Sequence, residues 1–300
     1  MELSIPRQNP DLDPAPLLTV AMPVYNAGPH LRLAVLSILR QTLRDWELLL
    51  IDDGSTDDGL QTIADIRDPR LRILRDGVNK GLAARLNEAI DLARGRYLAR
   101  MDADDVSYPD RFVCQLELLQ GASRPDVVAV GAVTISDSNE LRGYLPRAVS
   151  HERICAAPWQ GFYFPHPTWM GNISWFRRHR YAFPGPYRCE DQELLLRAYA
   201  ESRFETVDQV LFAYRVRSRV DWPKRLKTRL TLFGFQIRHF LRLRQYRFAF
   251  LALSVIWGRL ASDGWLFLGM KGGGPAGAPA VAGVDLARWR EVLNRTLAEP

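Results

Sequence analysis

Short apolar runs alternate with helical patterns from residue 17 to residue 135, and this alternation constrains the fold more than any other feature. The apolar runs have the length of buried strands and cover 17–25, 46–53, 70–76, 97–101 and 126–135. Between them, apolar residues recur at helical spacing over 29–41, 57–66, 82–93 and 109–120. Such alternation predicts an α/β, Rossmann-like fold, in which helices cover both faces of a mostly parallel sheet.

Two of the predicted strands end in carboxylates. Asp52 and Asp53 end the second strand, and Asp102, Asp104 and Asp105 follow the fourth. Aspartate, glycine, serine and threonine also form tight turns, so a turn alone would explain the segment "IDDGSTDD". In parallel sheets, however, ligands bind beyond the carboxyl ends of the strands. Clustered carboxylates also repel one another unless a positive group such as a divalent metal ion lies among them.

Five segments of the chain, taken in order, carry a resemblance to a known family. They are "TVAMPVYN", "LRQTLRDWELLLIDDGSTDD", "NKGLAARLNEAI", "GRYLARMDADD" with "YPDRF", and "CEDQELLLRAY". Together they resemble the family 2 glycosyltransferases, over roughly residues 17–216. The resemblance implies the GT-A fold and an inverting enzyme that moves a sugar from a nucleoside diphosphate to an acceptor.

The resemblance also implies which residues hold the nucleotide. Pro23, Tyr25 and Asp53 would hold the nucleobase, and Arg85 would lie near the ribose or the diphosphate. An aspartate can accept the ring N–H of uracil, thymine or guanine, whereas cytosine offers no ring N–H. We expect a UDP-sugar to be the favoured donor, with guanosine second, thymidine third and cytidine disfavoured.

Four further carboxylates would carry the reaction if the resemblance holds. It implies that Asp104 binds Mn²⁺ or Mg²⁺ and that Asp102 contacts the ribose or the metal's water shell. It makes Asp191 the catalytic base and Glu190 its supporting neighbour. The chemistry requires such parts, because a cation stabilises the leaving diphosphate and a carboxylate must take the proton of the acceptor hydroxyl.

His166 and Trp169 are candidates for the acceptor side. His166 belongs to a His–Pro segment that resembles one found near the acceptor in some family members. A packed structural histidine would explain the same segment. Trp169 could stack on an acceptor sugar, although core packing would also explain a tryptophan here.

The net charge of +6 and a pI of about 9.4 admit nucleic acid, an anionic membrane surface or a phosphorylated substrate as partners. No recognised nucleic-acid-binding module accompanies the charge, so we expect no nucleic acid partner. Three cysteines without CxxC spacing favour a reducing compartment. Residues 1–16 show no secretion signal and are predicted to be a disordered lead-in. These features predict a cytoplasmic protein.

Beyond the predicted glycosyltransferase domain, 17–220, the sequence changes character. Residues 221–270 predict a basic amphipathic helical extension, 271–283 a Gly/Pro/Ala linker, and 284–300 a terminal helix. The longest uncharged apolar run, 248–257, is about half the roughly 20 residues that a membrane-spanning helix needs. The extension could lie on the anionic inner face of the plasma membrane or pack as a cap on the core.

The sequence thus predicts a hexosyl- or N-acetylhexosaminyl-transferase that acts on a glycan or lipid-linked acceptor in cell-surface polysaccharide synthesis. A non-catalytic protein that binds nucleotide-sugars, or serves as a scaffold, would share the fold. A sugar nucleotidyltransferase would share the metal ligands. It should also carry a glycine-rich basic loop after the first strand, where this chain has "MPVYNAGPH". The same segment lacks the GxGxxG pattern of a Rossmann oxidoreductase.

Overall fold

A computed structural model describes residues 15–186, 188–216, 221–267 and 282–298. Strands are β1 Leu18–Val24, β2 Trp46–Asp52, β3 Leu71–Arg75, β4 Tyr97–Arg100, β5 Val106–Ser107, β6 Val127–Ile135, β7 Leu141–Tyr144, β8 Met170–Asn172 and β9 Phe204–Arg215. Helices are α1 His30–Leu39, α2 Leu82–Leu92, α3 Arg111–Gln120, α4 His151–Ile154, α5 Ile173–Arg178, α6 Glu190–Ala198, α7 Trp222–Arg242, α8 Tyr246–Phe267 and α9 Gly283–Leu297.

Within the described ranges, the strands form one sheet in the order β3-β2-β1-β4-β8-β6-β9-β5, and β7 pairs with β6. β3, β2, β1 and β4 are parallel, as expected for strands joined by crossover helices. β8 runs antiparallel to both of its neighbours, β4 and β6, so the second half of the sheet is mixed. The predicted α/β fold is confirmed, with fewer parallel pairs than the sequence suggested.

The sheet separates two hydrophobic cores. Leu18, Val20 and Met22 of β1 point to one core, which α1, α3 and α9 cover. Ala21 points to the other core, which contains residues from α2, α5, α6, α7 and α8. Side chains alternate between the two faces of a strand, so an apolar residue at nearly every position of β1 requires helices on both sides.

The predicted C-terminal extension consists of two antiparallel helices that pack on the second core. Asp263 near the end of α8 forms an ion pair with Arg225 and accepts a hydrogen bond from Arg229, both near the start of α7. Phe240 of α7 is fully buried, and the Gln236 side chain donates to the Pro158 carbonyl at 2.8 Å. The extension therefore acts as a helical cap on one face of the sheet. No helix in the described ranges is long and apolar enough to cross a membrane.

Several predicted boundaries shift or cannot be compared. The helix predicted over 57–66 is a single 3₁₀ segment, Gly59–Ile63, which lies among turn-forming aspartates and a threonine. Residues 1–14 of the lead-in and 271–281 of the linker lie outside the described residues. The terminal helix is present as α9, and the division into domains stays a prediction.

Candidate functional site

The carboxyl ends of β1, β2 and β4 meet at one edge of the sheet. The pairing register sets Val24 opposite Asp52, and Ala21 opposite Arg100. Asp53 therefore follows one strand of this edge, and the segment beginning at Asp102 follows another. The edge brings the two acidic segments of the sequence together, as the parallel strand order predicts.

Asp102, Asp104 and Asp105 form a cluster whose carboxylate oxygens lie within 4.8 Å of one another. Asp105 is buried, and burial together with the charges of Asp102 and Asp104 raises its pKa well above the usual range. Its Oδ2 atom has no hydrogen-bond partner in the described part of the chain. A buried, partnerless oxygen among three carboxylates fits a divalent cation, which prefers oxygen ligands and would offset their repulsion.

Arg215 at the end of β9 holds this cluster from behind. Its main-chain N–H donates to Asp105 Oδ1 at 2.7 Å, and its Nε donates to the Asp104 carbonyl, also at 2.7 Å. The guanidinium also donates to the carbonyl of Ser136 and the side chain of Asn139. The loop that follows β4 is thereby fixed to the opposite half of the sheet.

Arg100 is the residue of this site that the sequence analysis missed. Its side chain is only 4% exposed, and Nη2 donates to Asp102 Oδ1 at 2.7 Å. Its Nε and Nη1 atoms are buried and have no hydrogen-bond partner among the described residues. A charged residue at the end of the otherwise apolar run 97–101 is the sequence signal that could have identified it.

Glu190 and Asp191 are the first two residues of α6, where the helix dipole favours negative charge. Both are partly buried, and burial is the main reason that the pKa of each lies above its ordinary value. The charge of Asp191 raises the pKa of Glu190 further, while the nearby Arg100 lowers both. The Gln192 side chain donates to Asp191 Oδ2 at 3.1 Å. A carboxylate with a raised pKa is a stronger proton acceptor once it is ionised.

A pocket of about 170 Å³ opens beside Asp191. Its wall is largely apolar and aromatic, formed by Leu145, Pro146, Phe162, Tyr163, Phe164, Pro165, His166 and Gln192. The Nε2 atom of His166 lies 2.7 Å from the Tyr181 hydroxyl. Burial, with a smaller effect of Arg100, holds the pKa of His166 well below its usual range, so the ring is neutral. His166 thus joins Asp191 at the pocket.

Trp169 does not reach this pocket. The residue is fully buried, its indole N–H donates to the Phe164 carbonyl at 3.2 Å, and its ring meets His166 edge-on at 4.6 Å. Stacking on an acceptor sugar requires an exposed ring face. Of the two roles that the sequence left open for Trp169, the structure supports core packing, because the pairing of β8 with β4 carries this residue into the core.

Asp53, which the resemblance places at the nucleobase, is held by hydrogen bonds from the protein. Oδ1 accepts from the Lys80 main-chain N–H (2.7 Å) and from Arg85 Nε (2.8 Å), and Oδ2 accepts from the Gly81 N–H at 3.0 Å. Arg85 is 1% exposed and also pairs with Asp76. Arg85 therefore fixes Asp53 from inside the protein instead of facing the solvent.

Pro23 and Tyr25 differ in their access to a ligand. Pro23 is buried within β1, where it pairs with Ile51 of β2. Tyr25 lies just beyond the strand and is 54% exposed. Of the two, Tyr25 has a side chain open to a bound base at this edge.

The chain matches the family described as "Glycosyl transferase family 2" over residues 19–180. It is 33% identical over 221 residues to EpsE of Bacillus subtilis, whose name assigns it as a glycosyltransferase; the alignment covers 71% of this chain and 77% of EpsE. It is 33% identical over 103 residues to WfgD of Escherichia coli, named as a UDP-Glc:α-D-GlcNAc-diphosphoundecaprenol β-1,3-glucosyltransferase. That alignment covers 34% of this chain and 41% of WfgD.

The fold is similar to that of TarS from S. aureus, solved in complex with UDP-GlcNAc, with a TM-score of 0.62. The superposition covers 93% of this chain and 80% of the TarS chain at 14% sequence identity, which supports the GT-A fold alone. The sequence matches carry the family assignment, since the family match spans more than half of the chain. The protein therefore belongs to glycosyl transferase family 2 and is a glycosyltransferase.

Proposed function

We propose that the protein is an inverting transferase that moves a hexosyl or N-acetylhexosaminyl group from a UDP-sugar to a glycan or lipid-linked acceptor. One observation carries the proposal: Arg100 connects the acidic cluster to the acids of α6. Its guanidinium binds Asp102, and its charge acts on Glu190 and Asp191. An acidic cluster that could hold a metal ion and a candidate base, both near the buried guanidinium of Arg100, are the two parts that inverting sugar transfer needs.

Asp104, assisted by Asp102 and Asp105, would hold Mn²⁺ or Mg²⁺. The donor set supports this assignment, because all three groups are carboxylates and one Asp105 oxygen is buried without a partner in the described ranges. When bound, such a cation supplies positive charge that stabilises the leaving diphosphate. Asp102, held by Arg100, would orient its second oxygen toward the ribose or the metal's water shell.

Asp191 would take the proton of the acceptor hydroxyl. It borders the pocket next to His166, so an acceptor in the pocket would present its hydroxyl to this carboxylate. Gln192 bonds both to Asp191 and to the main chain of Phe162 in the pocket wall, which orients the base. Attack from this side, opposite the diphosphate, would invert the anomeric configuration. Glu190 would support the site without taking the proton.

The nucleobase would lie between Tyr25 and Asp53. Within the described ranges Asp53 Oδ2 accepts a hydrogen bond from one donor, the Gly81 N–H, so it retains acceptor capacity for the N3–H of uracil. Arg85 would contribute to base binding by holding Asp53 in place. Pro23 would contribute by shaping the end of β1. The names of WfgD and the TarS complex, which contain UDP-Glc and UDP-GlcNAc, support uridine as the nucleoside.

We place the reaction on the cytoplasmic side of the plasma membrane, in cell-surface polysaccharide synthesis. WfgD is named for transfer to a sugar carried on diphosphoundecaprenol, which supports a lipid-linked acceptor. Residues 221–267 contain nine lysines and arginines and two aspartates, so the cap favours an anionic surface.

Calorimetry with UDP, GDP, dTDP and CDP, with and without Mn²⁺, tests the proposal before any acceptor is known. We expect UDP to bind most tightly and only in the presence of the metal, followed by UDP release from one matching UDP-sugar. Failure of every nucleoside diphosphate to bind would contradict the proposal. Tight UDP binding without turnover of any UDP-sugar would instead favour a non-catalytic nucleotide-sugar-binding protein.

A further inference from the structure

The outer face of α8 carries a stripe of exposed apolar side chains, which we call the α8 stripe. It consists of Phe250, Leu253, Trp257 and Trp265, which are 68%, 40%, 67% and 53% exposed. Their spacing of three, four and eight residues places them on one side of the helix. No charged residue occurs between positions 248 and 258. Contiguous exposed apolar surface of this kind marks an interaction site.

The opposite side of α8 is already used by the protein. Ala249, Ala252 and Ile256 are buried, and the first two belong to the second core. Trp159 packs against Phe248 with ring centroids 4.9 Å apart. The α8 stripe therefore points away from the core, and its side chains remain exposed in the described part of the chain. Folding alone does not explain two tryptophans on this face.

Charge indicates what covers the stripe. The nine basic and two acidic residues of 221–267 give a net charge of +7, whereas the whole chain carries +6. Arg242, Arg244 and Arg247 are exposed at or near the turn between α7 and α8, and Arg247 lies about one helical turn before Phe250. A second copy of this chain would bring like charge against like charge. An anionic bilayer would attract the arginines and accept the aromatic side chains in its headgroup region.

Helix α8 also contacts the segment that leads into the pocket beside Asp191. Arg259 of α8 donates to the Gln160 carbonyl at 2.7 Å. Two and three residues further on, Phe162 and Tyr163 line the pocket beside Asp191. The segment that leads into the pocket wall therefore packs against α8, and Tyr163 of that wall is 49% exposed.

We propose that the α8 stripe lies in the headgroup region of an anionic bilayer, and that the pocket beside Asp191 opens toward the same bilayer. The orientation of the pocket depends on the proposed function in one respect: the occupant of the pocket is taken to be an acceptor held by that membrane. Membrane binding itself needs neither donor nor acceptor, so it is measured independently of turnover.

Vesicle pelleting tests the surface. The full chain should bind vesicles of phosphatidylcholine with phosphatidylglycerol, bind phosphatidylcholine alone weakly, and lose affinity as salt rises. Phe250→Ser with Trp257→Ser should lower the affinity by at least about tenfold, because two large apolar groups no longer enter the bilayer. Leu297→Ser is the matched control, since Leu297 is 57% exposed on α9, on the opposite face of the sheet. It should leave binding unchanged.

Insertion and orientation have separate measurements. Lipids brominated in their acyl chains should quench the fluorescence of the parent and quench Trp257→Phe/Trp265→Phe much less, although both still pellet. A fluorophore can be attached to Tyr163→Cys once the part-buried Cys114 and Cys155 are replaced by serine. Its emission should shift to the blue when vesicles are added. The same label on Leu297→Cys should not shift.

Equal binding by the parent and Phe250→Ser/Trp257→Ser would overturn the α8 stripe as the docking surface. A parent that dimerises through these residues and does not bind vesicles would assign the stripe to a second copy of the chain. An unshifted label at Tyr163 with intact vesicle binding would overturn the orientation. UDP-sugar turnover without vesicles should be equal in the parent and in Phe250→Ser/Trp257→Ser. This measurement tests the proposed function independently of vesicle binding.

Discussion

Arg100 Nη2 donates to Asp102 Oδ1 at 2.7 Å. The first carboxylate of the acidic cluster is thus paired with a buried guanidinium at the end of β4. The same guanidinium has two buried N–H groups without partners in the described ranges. Its positive charge also lowers the pKa of both Glu190 and Asp191. Arg100 therefore lies between the acidic cluster, where we propose the metal, and the acids of α6, where we propose the base.

Replacement of Arg100 by methionine should lower kcat/KM for the donor by about 10–100-fold, the usual cost of losing a group that orients a metal-binding carboxylate. Arg100→Lys keeps the charge but not the planar set of donors, so it should restore only part of the activity. The matched control is Arg96→Met, because Arg96 is exposed near the start of the same strand. Thermal unfolding checks that each variant is folded, and parental kcat/KM in folded Arg100→Met would contradict this role.

The pH dependence of kcat/KM should report the raised pKa of the acids at the start of α6. A general base works only when deprotonated, so activity should fall as the pH drops through the pKa of Asp191. Burial raises this pKa, and the acid limb should therefore lie at higher pH than the titration of an exposed aspartate. Arg100→Met removes the cation that lowers the pKa, so the limb should move to still higher pH. If the acid limb of Arg100→Met lies at the same pH as that of the parent, Arg100 does not act on the base.

Asp104→Ala should abolish the effect of Mn²⁺ on UDP binding. The substitution removes a carboxylate of the cluster and opens no cavity in the core, so the fold should persist. Calorimetry with and without Mn²⁺ measures the effect. Asp45→Ala is the matched control, because Asp45 is exposed before β2, at the opposite edge of the sheet. Equal metal dependence in the parent and in Asp104→Ala would show that the cation binds elsewhere.

Base selectivity should depend on Asp53. We expect UDP to bind more tightly than GDP and dTDP, and CDP to bind least, since cytosine offers no ring N–H. Asp53→Asn should reduce the preference for UDP over CDP. Asp76→Asn, the control, weakens the support of Arg85 without touching the acceptor oxygen, so the preference should remain. If the parent binds CDP as tightly as UDP, Asp53 does not recognise the base.

The parallel half of the fold and its acidic edge could be predicted because their signals are local. An unbroken apolar run such as β1 indicates a strand buried on both faces, and Asp53 and Asp102 come within two residues of the ends of their strands. The start of α6 at Glu190 is likewise indicated by acids that precede a helical pattern.

The features that were missed depend on contacts between distant segments. Trp169 is buried because the short strand β8 pairs antiparallel with β4, a pairing that no periodicity in three residues can indicate. The resemblance implies that Arg85 lies near the ribose or the diphosphate, and the sequence could not show that Asp53 and Asp76 surround its guanidinium. Arg100 joined the site only when β4 and the start of α6 converged. In each case the environment of the side chain is set by tertiary structure.

The most direct test of the central claim is the rate of UDP release by Asp191→Asn, measured under saturating UDP-sugar and Mn²⁺. The asparagine keeps the size of the side chain and cannot accept the proton. The account predicts that kcat falls by about 10²–10⁴-fold while UDP affinity is unchanged, and that Glu190→Gln costs less. Near-parental turnover by Asp191→Asn would contradict the account and transfer the role of base to another carboxylate, with Glu190 the next candidate.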